Sequence, residues 1–497
     1  MNMPPAPPAS RSDERTFAVL AIVAGVVAAS IAVGVDPGLN LILIGASMSA
    51  AILSVARHRM TAVDWAFGVA AFLFLSMFAV RTSEPLLLLD ICAAAGLGSL
   101  AMHGGSTWRG VLAGGLAVLT KLYRSLAPIV RPLVGWVRPT DGFSYGPLLR
   151  GSAIGIALII VFGVLFASAD QAFAQIAQDV LVPNWDLGLL PFRVISFLMV
   201  AGFTGAYAIV ATTPAEVRAG SRWAAVWAPK EEARRLQRPE WLVPLASINL
   251  VFIAFVLVQV TVLFGGREHV LQTAGLTYAE YARTGFFQLA AIAALVLVVI
   301  AVAVNVAKSE SAPDRRSMKG LLGLLCVLTL VVLLSALKRL GLYEEAFGFT
   351  RLRFFVHVAI LWLGLVIVTV MAAGVRWHAR WLPRVVVGIT ALTLLVVNVL
   401  NPDAFIARQN LDRYETTGKI DTTYLSTLSP DAVPTLARAP LAMRGCLLAG
   451  YDARVDRSLP VWSWNLSRAA AMDALASVPS TPPVSTHDCS EHGGSSE

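Results

Sequence analysis

Between residues 17 and 400 the chain carries eleven apolar stretches, most of them long enough to cross a lipid bilayer. A bilayer core about 30 Å thick takes about 20 apolar residues in a helix that rises about 1.5 Å per residue. The stretches are 17–35, 39–56, 62–80, 86–102, 147–167, 191–211, 241–264, 284–307, 320–337, 354–374 and 384–400. In hydrocarbon every backbone N–H and C=O needs an internal partner, which leaves helices or closed barrels. None of the stretches alternates apolar and polar residues as a barrel strand does. The fold class is therefore all-α: a polytopic transmembrane helical bundle with a small helical carboxyl-terminal tail. Charged residues make up 14% of the chain, against about 25% in soluble globular proteins, so most of the surface faces lipid.

The organisation follows from composition. Residues 1–16 are Pro-rich and polar and are expected to be disordered. Residues 17–400 form the membrane domain. Residues 401–477 hold helix-like stretches, with Ser429-Pro430-Asp431 reading as a helix start. Residues 478–497 are Pro/Ser-rich and are again expected to be disordered. The run Phe17–Val35 is longer than a secretory leader's apolar core and lacks a small-x-small cleavage site, so it reads as a retained first span.

Charge orients the spans. With the amino terminus in the cytoplasm, the loops expected inside hold 22 Lys and Arg and those expected outside hold 7, the asymmetry that sets topology during insertion. Eleven spans then put the tail outside the cytoplasm. The apolar run Val111–Leu119 has only nine residues, too few to cross, and reads as an interfacial or re-entrant piece. Loop 213–240 mixes six Lys/Arg with Trp223 and Trp227, the composition of an amphipathic helix lying on anionic lipid. The net charge of +8 resides in such loops, and no basic stripe interleaved with aromatics points to nucleic acid.

One outer segment departs from the rule. Residues 338–353 carry Lys338, Arg339, Arg351 and Arg353 with Tyr343, Glu344 and Glu345. Two readings fit. Either the two glutamates neutralise two of the cations, or the arginine forks hold phosphate or carboxylate at the outer surface.

Here the chain resembles a known family. Leu342-Tyr343, Gly348-Phe349-Thr350 and Arg353 lead into an apolar helix with Trp362; Asn401-Pro402-Asp403-Ala404-Phe405 is followed by Asn410. Further on come Tyr424-Leu425 with Leu428-Ser429-Pro430-Asp431, and Trp464-Asn465-Leu466-Ser467-Arg468. In that order, over roughly 320–470, these runs resemble a bacterial membrane family known as a domain of unknown function, the 4153/4173 group. The resemblance implies a multi-pass bacterial inner-membrane architecture. It brings no activity, so it designates no catalytic residue.

Ionisable side chains inside spans are costly and often functional. Asp90 lies six residues past Glu84, and His357 lies one turn past Arg353. Asp64 and Arg193 stand near span ends, where snorkelling accounts for them. Asn249, Gln259, Gln288, Asn305 and Asn398 are expected to bond across helices. In the orientation above, Asp36, Asp90, Lys338, Arg339, Tyr343, Glu344, Arg351, Arg353, His357 and Asn401 share the level of the outer leaflet. One reading is an outward cavity for an anionic head group, lined by Asp90, Lys338, Arg339, Tyr343, Glu344, Arg351, Arg353 and His357. The structural alternative pairs Asp90 with one arginine, locking two helices.

The cysteines divide by place. Cys92 and Cys326 lie in spans as packing residues, whereas Cys446 and Cys489 lie in the tail, where an oxidising compartment permits a disulfide. His487, Cys489 and His492 have the composition of a metal site on a flexible end, and no metal or other cofactor is expected. No phosphate-binding loop, dinucleotide fingerprint, zinc-protease motif or nucleophile elbow occurs.

These features describe an integral plasma-membrane protein, a cell-envelope component binding or sensing a lipid or a protein partner. A transporter or flippase using the outward polar level is the first alternative. The second is a membrane glycosyltransferase with a lipid-linked donor, since such enzymes place an acid in the first outer loop, where Asp36 stands.

Overall fold

The computed structural model describes residues 11–105, 107–134, 189–213, 236–264, 286–307, 311–376, 379–451, 455 and 460–478. It is helical; an isolated bridge between Leu236 and Ala307 is the extent of β structure among these residues. In chain order the first helices are α1 (Arg11–Ile31), α2 (Leu39–Ala56), α3 (Ala62–Ser76), α4 (Glu84–His103), α5 (Trp108–Gly115) and α6 (Ala127–Val134). Then come α7 (Leu190–Thr212), α8 (Arg238–Phe264), α9 (Phe286–Val306), α10 (Ala312–Phe347), α11 (Arg351–Arg376) and α12 (Leu382–Leu400). The tail contributes α13 (Pro402–Thr417), α14 (Thr422–Ser426), α15 (Val433–Leu436), α16 (Leu441–Leu448) and α17 (Leu466–Ser477). Among the described residues ten helices are long and apolar enough to cross a membrane. They coincide with ten of the eleven expected spans. The eleventh, 147–167, lies outside the described residues, as do most of loop 213–240, His487, Cys489 and His492.

Local chemistry sets the boundaries. Thr61 and Asp64 form a capping box at the start of α3: the Thr61 side chain accepts from Asp64 N–H and the Asp64 carboxylate accepts from Thr61 N–H. Asp64 is thus a helix cap, which corrects the snorkelling reading. Helix α1 is already helical at Arg11, six residues before its apolar run. Helix α10 has 36 residues, a length of about 54 Å that exceeds the bilayer core. The expected outer loop 338–353 is accordingly no loop. Its first ten residues extend α10, three link the helices, and Arg351 opens α11. Helix-compatible residues carry α10 through Phe347 until Gly348, at φ +77°, ends it.

Helix α5, eight residues long, spans about 12 Å and does not cross. Ser99 pins this segment to α4 by donating to Gly114 O and accepting from Val118 N–H.

The membrane helices form two bundles that differ in grain. Helices α1, α2, α3, α4 and α7 pack together, with Ala18, Ala21, Ala24, Ala28, Ala51, Ala201, Ala206 and Ala208 buried among them. Small side chains let helix axes approach closely. Helices α8 to α11 form the second bundle, around Phe252, Val296, Ile300, Leu325, Val332, Leu340, Ile360 and Ile367. Helix α12 packs on α11 and also touches α4 and α5.

Contacts at the helix ends set the direction of most of the described spans. On one face Arg59 donates to Thr212 O, Arg384 to Gly105 O and Lys319 to Val375 O, while Arg238 pairs with Asp314. On the opposite face the α1–α2 loop, the α3–α4 turn, the α10–α11 link and the end of α12 converge beneath the tail. Asn401 makes the turn into it: held at φ +54°, it accepts from Ala404 N–H while Pro402 opens α13. The tail has its own core of Ile406, Leu425, Leu428, Val433, Leu436, Leu447 and Tyr451, and forms a cap over both bundles.

Candidate functional site

The cap grips the second bundle through Asp403. This carboxylate is fully buried and takes a two-pronged hydrogen bond from Arg351, Nε to Oδ1 at 2.8 Å and Nη2 to Oδ2 at 2.5 Å, with Ser429 N–H at 2.9 Å from Oδ2. Burial pushes the Asp403 carboxyl up, but the hydrogen bonds and charge of Arg351, with those of Ser429, outweigh it and hold the group below the usual carboxylate range. Arg351 N–H also donates to the Tyr424 hydroxyl at 2.7 Å. Burial raises the Tyr424 phenol against the opposing pull of Arg351. Next to this pair, Asn410 accepts from Phe349 N–H and donates to Phe349 O. Arg413 closes the end of α10 by donating to Glu345 O and Ala346 O.

A second buried acid grips the first bundle. Asp431 Oδ2 accepts from Thr82 N–H and Thr82 Oγ1, both at 2.8 Å, and from Ser429 Oγ at 2.9 Å. Ser467 donates to its other oxygen, with Arg81 3.9 Å away. Arg81 in turn donates to Asn398 O at 2.7 Å. Ser429 therefore joins both acids, its N–H on Asp403 and its hydroxyl on Asp431. Asn465 donates to Phe78 O and Arg81 O, and the Ser467 hydroxyl, whose one proton Asp431 shares, also lies 2.8 Å from Val80 O. Farther along, Arg468 pairs with Asp36 and donates to Pro37 O. At Gly38 an added Cβ would lie 2.5 Å from Ser463 O and Trp464 O; only glycine allows the cap so close.

Below this clasp, inside the membrane domain, Asp90 is fully buried and its Oδ1 accepts from Asn398 Nδ2 at 2.8 Å. The partner expected under the structural alternative was an arginine; it is a neutral amide.

The eight residues expected to line one cavity separate into five places. Tyr343, Glu344, Arg353 and His357 come together at the α10–α11 hairpin: His357 Nδ1 lies 3.1 Å from Glu344 Oε1, and Arg353 stacks on the Tyr343 ring at 4.0 Å while donating to Gly348 O. Arg339 turns to Gln259 at 3.0 Å on α8. Arg351 goes to Asp403, and Asp90 to Asn398. Lys338 is exposed. Glu344, expected to neutralise an arginine or lysine, meets histidine instead. Of the five amides expected to bond across helices, Asn249, Gln259 and Asn398 do. Asn305 bonds within its own helix and Gln288 is exposed. The acids of the clasp, Asp403 and Asp431, escaped the reasoning from depth because they lie past the last span. Their signal was in the motif runs, which contain Asp403, Asn410, Tyr424, Asp431, Asn465, Ser467 and Arg468.

The same stretch is where a known family matches. The model of the family described as Domain of unknown function (DUF4153) matches residues 67–439. The chain belongs to the DUF4153 family. The match begins far earlier than the 320–470 expected from the motif runs and ends before the Trp464–Arg468 run. The DUF4153 region thus includes Arg81, Asp90, Arg351, Asn398, Asp403 and Asp431, while α1, α2 and the Asp36–Arg468 pair lie outside it. No curated protein and no solved structure matches the chain. What stands is a DUF4153 integral membrane protein with an all-α polytopic fold.

Proposed function

We propose that this is a bacterial plasma-membrane protein, amino terminus in the cytoplasm and cap outside, whose cap-side face binds or senses an envelope partner, with lipid as the first choice. The orientation rests on the basic face: the helix ends away from the cap adjoin the Lys/Arg-rich loops, 22 against 7. Cys446 is disulfide-bonded, which suits an oxidising compartment. The observation that carries lipid contact is the turn Val461–Leu466. Val461, Trp462, Trp464 and Leu466 are exposed, and Trp464 O accepts from Leu39 N–H at the mouth of the α2 span. Exposed tryptophans at the end of a span are how proteins anchor in the headgroup layer. A protein partner in the envelope would use the same face.

The geometry redirects the anion-site idea. Arg351 serves the clasp, Arg353 the α10–α11 hairpin and Arg339 the contact with Gln259, so in this reading recognition falls to the aromatic turn. Asp36, the acid behind the glycosyltransferase reading, supports Arg468.

The test uses the full chain in vesicles of brominated and ordinary lipid. Brominated lipid is expected to quench a tryptophan component that is missing from a Trp462→Phe/Trp464→Phe double variant. Equal quenching in both proteins would reject lipid contact through this turn. A strain carrying the variant, compared with a deletion strain by lipid and glycan profiling, then reports whether that contact is the function.

A further inference from the structure

The Asp90–Asn398 pair lies where α4 of the first bundle meets α12. Both side chains are buried, and each keeps one oxygen without a hydrogen-bond partner: Asp90 Oδ2 and Asn398 Oδ1. The other half of the contact is sound, Asn398 Nδ2 donating to Asp90 Oδ1 at 2.8 Å. When a carboxamide and a carboxylate pair edge to edge, one N–H···O bond forms and the second edges set acceptor against acceptor. A carboxamide and a carboxylic acid do not: the acid's O–H completes a two-bond ring with the amide oxygen. In that ring one proton would satisfy both orphan oxygens at once. An ionised carboxylate would remain buried with a single neutral donor, an arrangement that proteins avoid.

Among the described residues no charged or titratable group on the surrounding elements is bonded to Asp90. Arg81, after α3, is spent on Asn398 O, Val399 O and the cap's Asp431. Asp64 caps the far end of α3, Arg384 binds Gly105 O at the far end of α12, and Tyr207 of α7 donates to Ala95 O. Arg193 opens α7 and Glu84 stands exposed at the start of α4; neither bonds to Asp90.

We infer that Asp90 is a proton-binding site: a neutral carboxylic acid that donates to the Asn398 carboxamide and whose proton holds α4 to α12. Release of that proton sets two acceptors against each other at the joint between the bundles, directly under Arg81 and the clasp. Proton occupancy is thereby coupled to how α12 and the cap sit on the first bundle. This is a device for proton-driven movement or proton sensing, and it stands whatever the aromatic turn binds.

The experiment is infrared difference spectroscopy of the full-length protein in nanodiscs at neutral pH, wild type against Asp90→Asn. The amide in Asp90→Asn donates to Asn398 Oδ1 as the acid does, so the variant keeps both bonds and folds. The expected result is a protonated-carboxyl C=O stretch, sensitive to deuterium exchange, in wild type and missing from Asp90→Asn. Asn398→Leu should shift this band to higher frequency. Wild type and Asp90→Asn should melt alike, with or without sodium. Absence of the band, or sodium-dependent melting that Asp90→Asn abolishes, would overturn the proposal, the latter in favour of a bound cation.

Discussion

The two helical bundles solve the same packing problem with opposite materials. In α1, α2 and α7 alanine lines much of the contact, around Phe17 and Val55, and an added Cβ at Gly25 of α1 would lie 2.7 Å from the Phe197 ring and 3.2 Å from Phe197 O on α7. In α8 to α11 the faces are leucine, isoleucine and valine, and a Cβ at Gly364 would meet Leu330 and Leu333 at 3.9 Å, an ordinary contact. Lipid tails are as apolar as leucine, so neither bundle gains much from hiding side chains. Cohesion comes from close backbone approach in one and from interlocking bulk in the other. The first cannot accept added volume, and the second cannot lose it. Between them the cap uses a third material, buried acids saturated with donors.

The largest effect is expected at the cap's hold on the second bundle. Arg351→Gln removes one partner of a pair whose acid is fully buried, and should cost about 3–5 kcal/mol. In nanodiscs the cap should become protease-sensitive while the membrane helices remain inserted; an uncut cap would refute the clasp. The same pair carries an acid dependence. Asp403 has a folded-state value below its unfolded one, so its stabilisation is present above the ordinary carboxylate range and is lost as pH falls through the depressed value. An Asp403→Asn protein should lack that acid transition, and thermal melts across acidic pH would read the difference.

Truncation tests the second bundle. Leu325→Ala leaves a void at a fully buried site; in membrane the cavity dominates over transfer, so about 2–3 kcal/mol is expected. A melting temperature unchanged from wild type would mean that bulk is not what holds these helices.

Two alanine substitutions sharpen the contrast by sign. Gly25→Ala should destabilise the first bundle by about 1–3 kcal/mol through overpacking against Phe197. Gly364→Ala should be neutral or stabilise the second by up to about 1 kcal/mol, since alanine is the better helix former and has room. If thermal melts moved both proteins the same way, the two-material account would fail.

Much of this was legible beforehand because lipid acts on each segment separately. Ten spans stand where their apolar runs stand; α1 overran its run at the start and α10 at both ends, since helix can continue into polar residues, which for the end of α10 the cap then covers. The candidate site was half legible. Arg351, Arg353, Glu344 and His357 were picked out by depth and charge, and they do lie at one end of the bundles. Their partners were hidden: a carboxylate 52 residues away serves Arg351, one 349 residues away serves Thr82, and Arg468 reaches back 432 residues to Asp36.

Solvent, helical class and the number of apolar rods were decided by the order of residues, because apolar length is a local property that hydrocarbon reads directly. Whether a cation awaits a ligand or closes a clasp was decided only in three dimensions. Coulomb attraction and hydrogen bonding depend on which groups packing brings within about 3 Å, and sequence distance says nothing of that.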